Sequence, residues 1–343
     1  MNAAPGPTLA GLGFAVPRSH RQEDLIAALA EAWGLAPRER DRWLRIVQGS
    51  GIERRHAVGS IERALGLSTA ERMRLFEGMA PILAAEAGAA ALARAGLAGD
   101  AVTDLVIVTC TGFTAPGVGH AIIGPLGLSP NVRHSQIGFM GCFGGIIGLR
   151  TACGLASADP QAVVLVVCVE LCSLHLRRRP DAQQLVAAGI FADGAAAAVV
   201  VGAERPCQPL GRLSLGRTRV LHESREEMSW RIEDDGFAMT LTREVPPALE
   251  RAIGGFIAED PPRGIAVHPG GAAILDAIER SVADLGLDPR SLPASRAILR
   301  DFGNMSSGSV LFVLDRYLGS GGERPVDCIA FGPGLTIDAV RLR

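Results

Sequence analysis

The sequence predicts an α/β protein with mixed sheets, built as two similar halves. Continuous apolar runs at Asp104–Cys110, Val163–Val169 and Ala195–Val201 have the composition of strands buried on both faces. Stretches with helical periodicity alternate with them. A polar, proline-containing link at Ala203–Gly211 then separates residues 1–205 from residues 206–343, where the alternation begins again.

Taken in order, Thr8–Val16 reads as a strand, and Gln22–Trp33 and Pro37–Val47 as amphipathic helices. Thr69–Ala95 is rich in Ala with Arg and Glu on one side, which predicts a long helix or, because of Pro81, a kinked pair. In the second half Arg212–Leu221 reads as a strand, Pro246–Ala258 as a helix and Gly264–Val267 as a short strand. Ala272–Leu285 and Ser306–Leu318 are helices, and Val326–Phe331 and Leu335–Leu342 are closing strands. No short-period repeat, coiled coil or low-complexity segment interrupts the pattern.

Composition removes several functions. The chain has 343 residues, 48% apolar, 20% charged and 4% aromatic, with a formal net charge of −2. It is too apolar for disorder and lacks the basic surplus of a nucleic-acid binder. No run approaches the roughly 18 uninterrupted apolar residues of a membrane span. The 34 basic residues are all Arg, and Tyr317 is the one Tyr. Without Lys there is no Schiff base, no pyridoxal phosphate anchor and no Walker A lysine. Seven scattered cysteines (Cys110, Cys142, Cys153, Cys168, Cys172, Cys207 and Cys328) contain no Cys-x-x-Cys pair. Neither a disulfide framework nor a metal site is expected, and reduced cytoplasmic thiols are. The first basic residue is Arg18, so no signal peptide is expected.

The remaining chemistry falls on a few settings. Cys142, in Gly138-Phe-Met-Gly-Cys-Phe-Gly-Gly, follows a strand-like stretch and opens a helix, where the dipole favours a thiolate. Flanking glycines allow a tight elbow; a buried structural Cys would fit the same pattern. His268 ends an apolar strand before Pro-Gly-Gly, at a strand-to-helix junction where α/β folds hold reactive groups, or where a core His bonds to backbone. Asn304 precedes Met-Ser-Ser-Gly and an apolar helix; taken alone it reads as a cap. Together they make a Cys-His-Asn set for acyl transfer. An Asn beside His is no base, but it donates a hydrogen bond to a carbonyl or enolate oxygen.

These segments stand in a telling order. MGC (Met140–Cys142), CVELCSL (Cys168–Leu174), FADGAAAA (Phe191–Ala198) and GFAMTLTREVP (Gly236–Pro246) are followed by HPGG (His268–Gly271), GNMSSGSVLFVLD (Gly303–Asp315) and FGPGLT (Phe331–Thr336). Nearly end to end, the chain resembles a type III polyketide synthase, of the chalcone synthase-like branch of the thiolase superfamily and its bacterial members. The resemblance implies a thiolase-like fold, two α/β halves layered αβαβα, in a homodimer. It implies malonyl-CoA and an acyl-CoA starter as substrates, with no other cofactor.

By that resemblance Cys142 takes the starter, and His268 and Asn304 bind the malonyl thioester and stabilise the enolate left by decarboxylation. The enolate attacks the acyl-Cys142 in a Claisen condensation, repeated before cyclisation to a naphthalene, resorcinol or pyrone. Phe191 matches a gatekeeper Phe, and Met239 replaces a second one. Gly332, Pro333 and Gly334 match a loop shaping the cavity wall, with Ala330 where a Gly is usual. Cys110 replaces a plant Thr, and His175 stands where chain length is controlled. Cys172 and Ser306 belong to the cavity lining, and Ala115 stands where plant members send a Met into the partner subunit's cavity. Arg54 and Arg55 match a basic patch for coenzyme A; Arg177–Arg179 is a second cluster, read as a solvated loop. The alternatives are a single-condensation enzyme like ketoacyl synthase III, against which HPGG and FGPGLT count, and a non-catalytic acyl-CoA-binding subunit.

Overall fold

The structure, a computed structural model, describes residues 6–60, 64–178 and 182–343; Arg179 of the second arginine cluster lies outside them. The first half runs β1 (Thr8–Ala15), β2 (Ser19–Arg21), α1 (Gln22–Ala32), α2 (Pro37–Gln48), β3 (Arg54–His56) and α3 (Thr69–Ala95). It continues β4 (Asp104–Val108), α4 (Val118–Ile122), β5 (Arg133–Ile137), α5 (Gly144–Ala158), β6 (Val163–Leu171), α6 (Ala182–Ile190) and β7 (Asp193–Val201). The second half runs β8 (Gly211–Val220), β9 (Met228–Glu233), β10 (Gly236–Leu241), α7 (Val245–Ala258), β11 (Gly264–Val267) and α8 (Ala272–Val282). It ends with α9 (Ser291–Phe302), α10 (Ser309–Gly319), β12 (Val326–Gly332) and β13 (Thr336–Leu342).

The main strands form a mixed sheet in the order β11-β12-β13-β8-β1-β7-β6-β4-β5. β4 is parallel to β5 and β6, and β11 to β12; the other neighbours are antiparallel. The halves join thinly at β1 and β8, paired only through Thr8–Arg212 and Leu9–Gly211. Apolar side chains of α5 (Ile146, Leu149) and α10 (Val310, Val313) share one core with Val166 and Ala196 of the first half and Cys328 and Val340 of the second. α3 covers the opposite face of the first half, and α7 and α8 that of the second. The layers are therefore helix, sheet, helices, sheet, helices, as an α/β fold of two halves requires.

α3 is one helix through Pro81, not a kinked pair. A Ser68–Glu71 capping box starts it and a left-handed Gly96 ends it. Phe76, Ala80, Leu83, Ala84, Ala87 and Ala91 bury one face on both sides of Pro81. That packing outweighs the roughly 3 kcal/mol cost of an interior proline. Strand β1 accepts α3 so closely that a Cβ on Gly13 would lie 2.2 Å from the Ala91 nitrogen. α3 and the segment Gly141–Ala158 have the length and hydropathy of membrane spans, yet both lay apolar faces against the sheet.

β6 and β7 are longer than their apolar runs, which brings Glu170 and Asp193 into the buried ladder. β9 and β10 form a separate hairpin that carries Trp230, Phe237 and Met239. It escaped the sequence reading, although Asp235-Gly236 between alternating runs is a hairpin signal. The helix expected from Ser306 starts with a 3₁₀ turn, Ser306–Gly308, before α10.

Candidate active site

After β5 the backbone turns sharply, with Phe139 at φ 63° and Gly141 at φ 66°. A positive φ at Phe139 is a strained setting that the surrounding packing must hold. Pro333 closes against the turn; a Cβ on Gly141 would fall 2.5 Å from its Cδ. Cys142 lies in the 3₁₀ turn Gly141–Phe143 and is 5% exposed. Its Sγ is 3.6 Å from Ser306 Oγ.

Asn304 is locked from both sides. Its N–H donates to Ile190 O at 3.0 Å and its carbonyl accepts from Ala192 N at 2.9 Å, so Phe191 is bridged to it. Asn304 Oδ1 accepts from Ser306 N at 2.8 Å, which turns Nδ2 outward; Nδ2 donates to Gly270 O at 3.3 Å. His268 follows β11, its N–H donating to Ile329 O at 2.8 Å and its carbonyl accepting from Gly270 N at 2.9 Å. Its ring stands edge-on to Phe331, 5.5 Å between centroids. Both ring nitrogens are buried without a partner. A buried imidazole left unpaired is set to meet something that arrives.

Burial pushes the Cys142 thiol up to about 12, against Ser306 and Asn304, which favour the thiolate. Burial also lowers His268 to about 3. This departs from the sequence expectation: the helix dipole does not by itself leave a thiolate, because desolvation of a sealed pocket is the larger effect. A buried thiol, a buried unpaired imidazole and a fixed carboxamide are groups that suit acyl transfer through an oxyanion.

The chain matches known families along most of its length. Residues 48–205 match the model for chalcone and stilbene synthases, N-terminal domain, and residues 212–343 the C-terminal domain model. The chain belongs to the chalcone and stilbene synthase family. It is a type III polyketide synthase, an acyltransferase by class. Bisdemethoxycurcumin synthase of Oryza sativa subsp. japonica is 34% identical over 88% of this chain and 83% of its own. The alpha-pyrone synthesis polyketide synthase-like Pks18 of Mycobacterium tuberculosis is 32% identical over 98% of this chain and 92% of its own. The Dictyostelium discoideum protein named "Probable polyketide synthase 1" is 31% identical over 97% of this chain, which spans 11% of that protein's length. The solved type III domain of Steely1, a type I/III hybrid from Dictyostelium, superposes with a TM-score of 0.92 at 30% identity, covering 98% of this chain and 99% of that one. PKS-I of the brown alga Ectocarpus siliculosus gives 0.90 at 27%, covering both chains fully at 100%.

The synthase gathers most of the sequence-derived site. Phe191, Met239, Cys110, Cys172, His175 and Ser306 line one cavity, with Thr111, Trp230 and Phe237. Cys110 faces the elbow, its Sγ accepting from Gly141 N at 3.0 Å. Burial, with Glu170 nearby, drives its thiol well above the usual range. His175 is pinned: one ring nitrogen lies 2.7 Å from Thr111 O and the other accepts from Phe237 N at 3.2 Å, with the two rings stacked 4.0 Å apart. Burial lowers it to about 4, so it stands neutral.

Two expectations are corrected. Arg55 is 5% exposed; its guanidinium is spent on Gln22 Oε1 at 2.5 Å and on the carbonyls of Ala188 and Phe191, so it ties α1 to the gatekeeper turn and is not presented to a phosphate. Arg54, by contrast, is exposed and, among the described residues, engages only its Nε, donating to Ser19 Oγ at 2.9 Å. Gly332, Pro333 and Gly334 are not among the described residues lining the cavity; Gly332 and Pro333 buttress the nucleophile elbow instead. Ala115, expected toward the partner subunit's cavity, lies on an exposed loop outside this subunit's own.

Glu170 was missed. It is 0% exposed and accepts from Cys110 N at 3.0 Å, from Thr111 Oγ1 at 2.8 Å and from the Ser307 hydroxyl. Burial raises it to about 7. The signal was present: a lone carboxylate inside an otherwise apolar strand is buried and must be answered by donors.

Proposed function

We propose that this synthase extends an acyl-CoA starter with malonyl-CoA on Cys142. His268 takes the thiol proton, and the sulfur attacks the starter carbonyl. A carbon–sulfur bond forms to Cys142, the bond to coenzyme A sulfur breaks, and the leaving thiolate is protonated. His268 and Asn304 Nδ2 then hold the malonyl thioester oxygen while carbon dioxide leaves, so that the electron pair becomes an enolate facing two donors. The enolate carbon attacks the acyl-Cys142 carbonyl and releases the sulfur. Repetition and ring closure give an aromatic or pyrone product. The observation that carries this reading is the buried, unpartnered imidazole of His268 beside the fixed Asn304 carboxamide.

Coenzyme A thioesters reach this point through a second cavity, about 850 Å³ with its mouth, whose walls include Gly270, Gly271, Gly189 and Arg243. Arg243 is 95% exposed at its rim and takes the place proposed from sequence for Arg55 as a phosphate partner. The free thiols suit a reducing cytoplasm.

Two copies assemble through the β5 edge. β4 and β5 are parallel neighbours, so the loops after them leave the same end of the sheet; they expose Phe113 and Phe139, at 61% and 62%. Ala115 sits in the first of these loops.

The test is a product assay with malonyl-CoA and a panel of acyl-CoA starters, read by mass spectrometry beside Cys142→Ala and Asn304→Ala. Multiply extended cyclic products are expected, absent with Cys142→Ala. With Asn304→Ala the rate falls on the order of 10²–10³. A single extension would instead indicate the ketoacyl synthase-like reaction.

A further inference from the structure

The geometry points to an unbranched aliphatic acyl group as the starter, its chain laid in a side chamber between the nucleophile and α1. This rests on the acyl-transfer reading of Cys142. The cavity that opens at Cys110 and Ser306 does not stop at Phe191 and Met239. It continues past Leu174 and Leu176 to Leu25, Leu29 and Trp33 of α1, with Leu75 of α3 on its wall. A cavity serving only a short starter has no need of α1.

Many of the polar groups along this chamber are already engaged with the protein. Trp33 Nε1 donates to Arg177 O at 2.8 Å, and Gln184 Nε2 to Met239 O at 3.0 Å. Both His175 nitrogens are engaged as described. Ser173 Oγ donates to Asp193 and Thr111 Oγ1 to Glu170. Arg55 is spent on Gln22 and two carbonyls. A hydroxylated aromatic starter would give up its water there and meet groups already paired. A methylene chain gives up nothing polar, and each added methylene buried strengthens binding about fourfold.

The experiment uses the purified full chain with malonyl-CoA and saturated acyl-CoA starters from butanoyl to tetradecanoyl, beside benzoyl- and 4-hydroxycinnamoyl-CoA. KM is expected to fall about fourfold per methylene until the chamber is filled, with the hydroxycinnamoyl starter poorest. Leu25 is half-buried, so Leu25→Trp narrows the chamber from a position that tolerates size. In that variant, with its circular dichroism matched to the parent, the ratio of dodecanoyl to butanoyl kcat/KM should drop about tenfold or more. A flat chain-length profile, an unchanged ratio, or preference for the hydroxycinnamoyl starter overturns the proposal. Failure of the acyl-transfer reading looks different: no starter mass on Cys142 and no carbon dioxide from malonyl-CoA with any thioester, which removes both.

Discussion

Glu170 shows how one buried side chain links the site to the fold. Four neighbouring groups, the Cys110 backbone and the hydroxyls of Thr109, Thr111 and Ser307, converge on its carboxyl. Burial still dominates and lifts its pKa from the ordinary 4.5 to about 7. The folded chain therefore holds this proton where the unfolded chain has lost it. Stability from Glu170 is fully present below about 4.5 and is lost as pH rises to about 7. Glu170→Gln, which cannot ionise, should lack that share of the slope, a difference on the order of 3 kcal/mol between pH 4.5 and 7.5. Urea unfolding of both proteins across that range measures it; parallel curves would defeat the assignment. Asp193, raised by burial to about 6, slopes the same way in both proteins and cancels.

Elements are set by how closely they approach. α3 lies on β1 at glycine distance, since a Cβ at Gly13 would meet the Ala91 nitrogen at 2.2 Å and the Ala87 carbonyl oxygen at 2.3 Å. Backbone cannot step aside as a flexible side chain does. Gly13→Ala should cost about 1–3 kcal/mol or more and lower the melting temperature by about 4 °C or more. Gly78, on the same helix, has nothing within 4 Å of its Cβ position. Gly78→Ala should stabilise by about 0.5–1 kcal/mol through helix propensity. If both variants melted alike, the packing account of Gly13 would fail. The β9–β10 hairpin makes the complementary point: it lies off the main sheet, yet it delivers Trp230, Phe237 and Met239 to the cavity.

At the scale of the molecule, two half-sheets share the α5 and α10 layer, and the proposed catalytic set spans both. Cys142 comes from the first half, and His268 and Asn304 from the second. The proposed pairing of copies through β5 carries its own prediction. Sedimentation at micromolar concentration should give twice 35.8 kDa, and Phe113→Asp should shift the boundary toward one copy. A parent that sediments as a single copy would exclude that interface.

The sequence by itself determined the class of fold and the order of its main strands and helices, and it singled out Cys142, His268 and Asn304 as candidates. Continuous apolar runs must be buried, and glycine-rich junctions record backbone constraints that are local in the chain. Only the tertiary structure decided the rest. Arg54-Arg55 looks like a phosphate patch in one dimension, yet Arg55 points inward because Gln22 and two carbonyls lie there. The FGPGLT loop looks like a cavity wall and proves to be a brace for the elbow. The dipole reading of Cys142 gave way to desolvation, which depends on what closes over the sulfur. Pro81 stays helical because α3 packs along its whole length. Burial, hydrogen-bond partners and cavity shape are properties of residues far apart in the chain, so no local pattern encodes them.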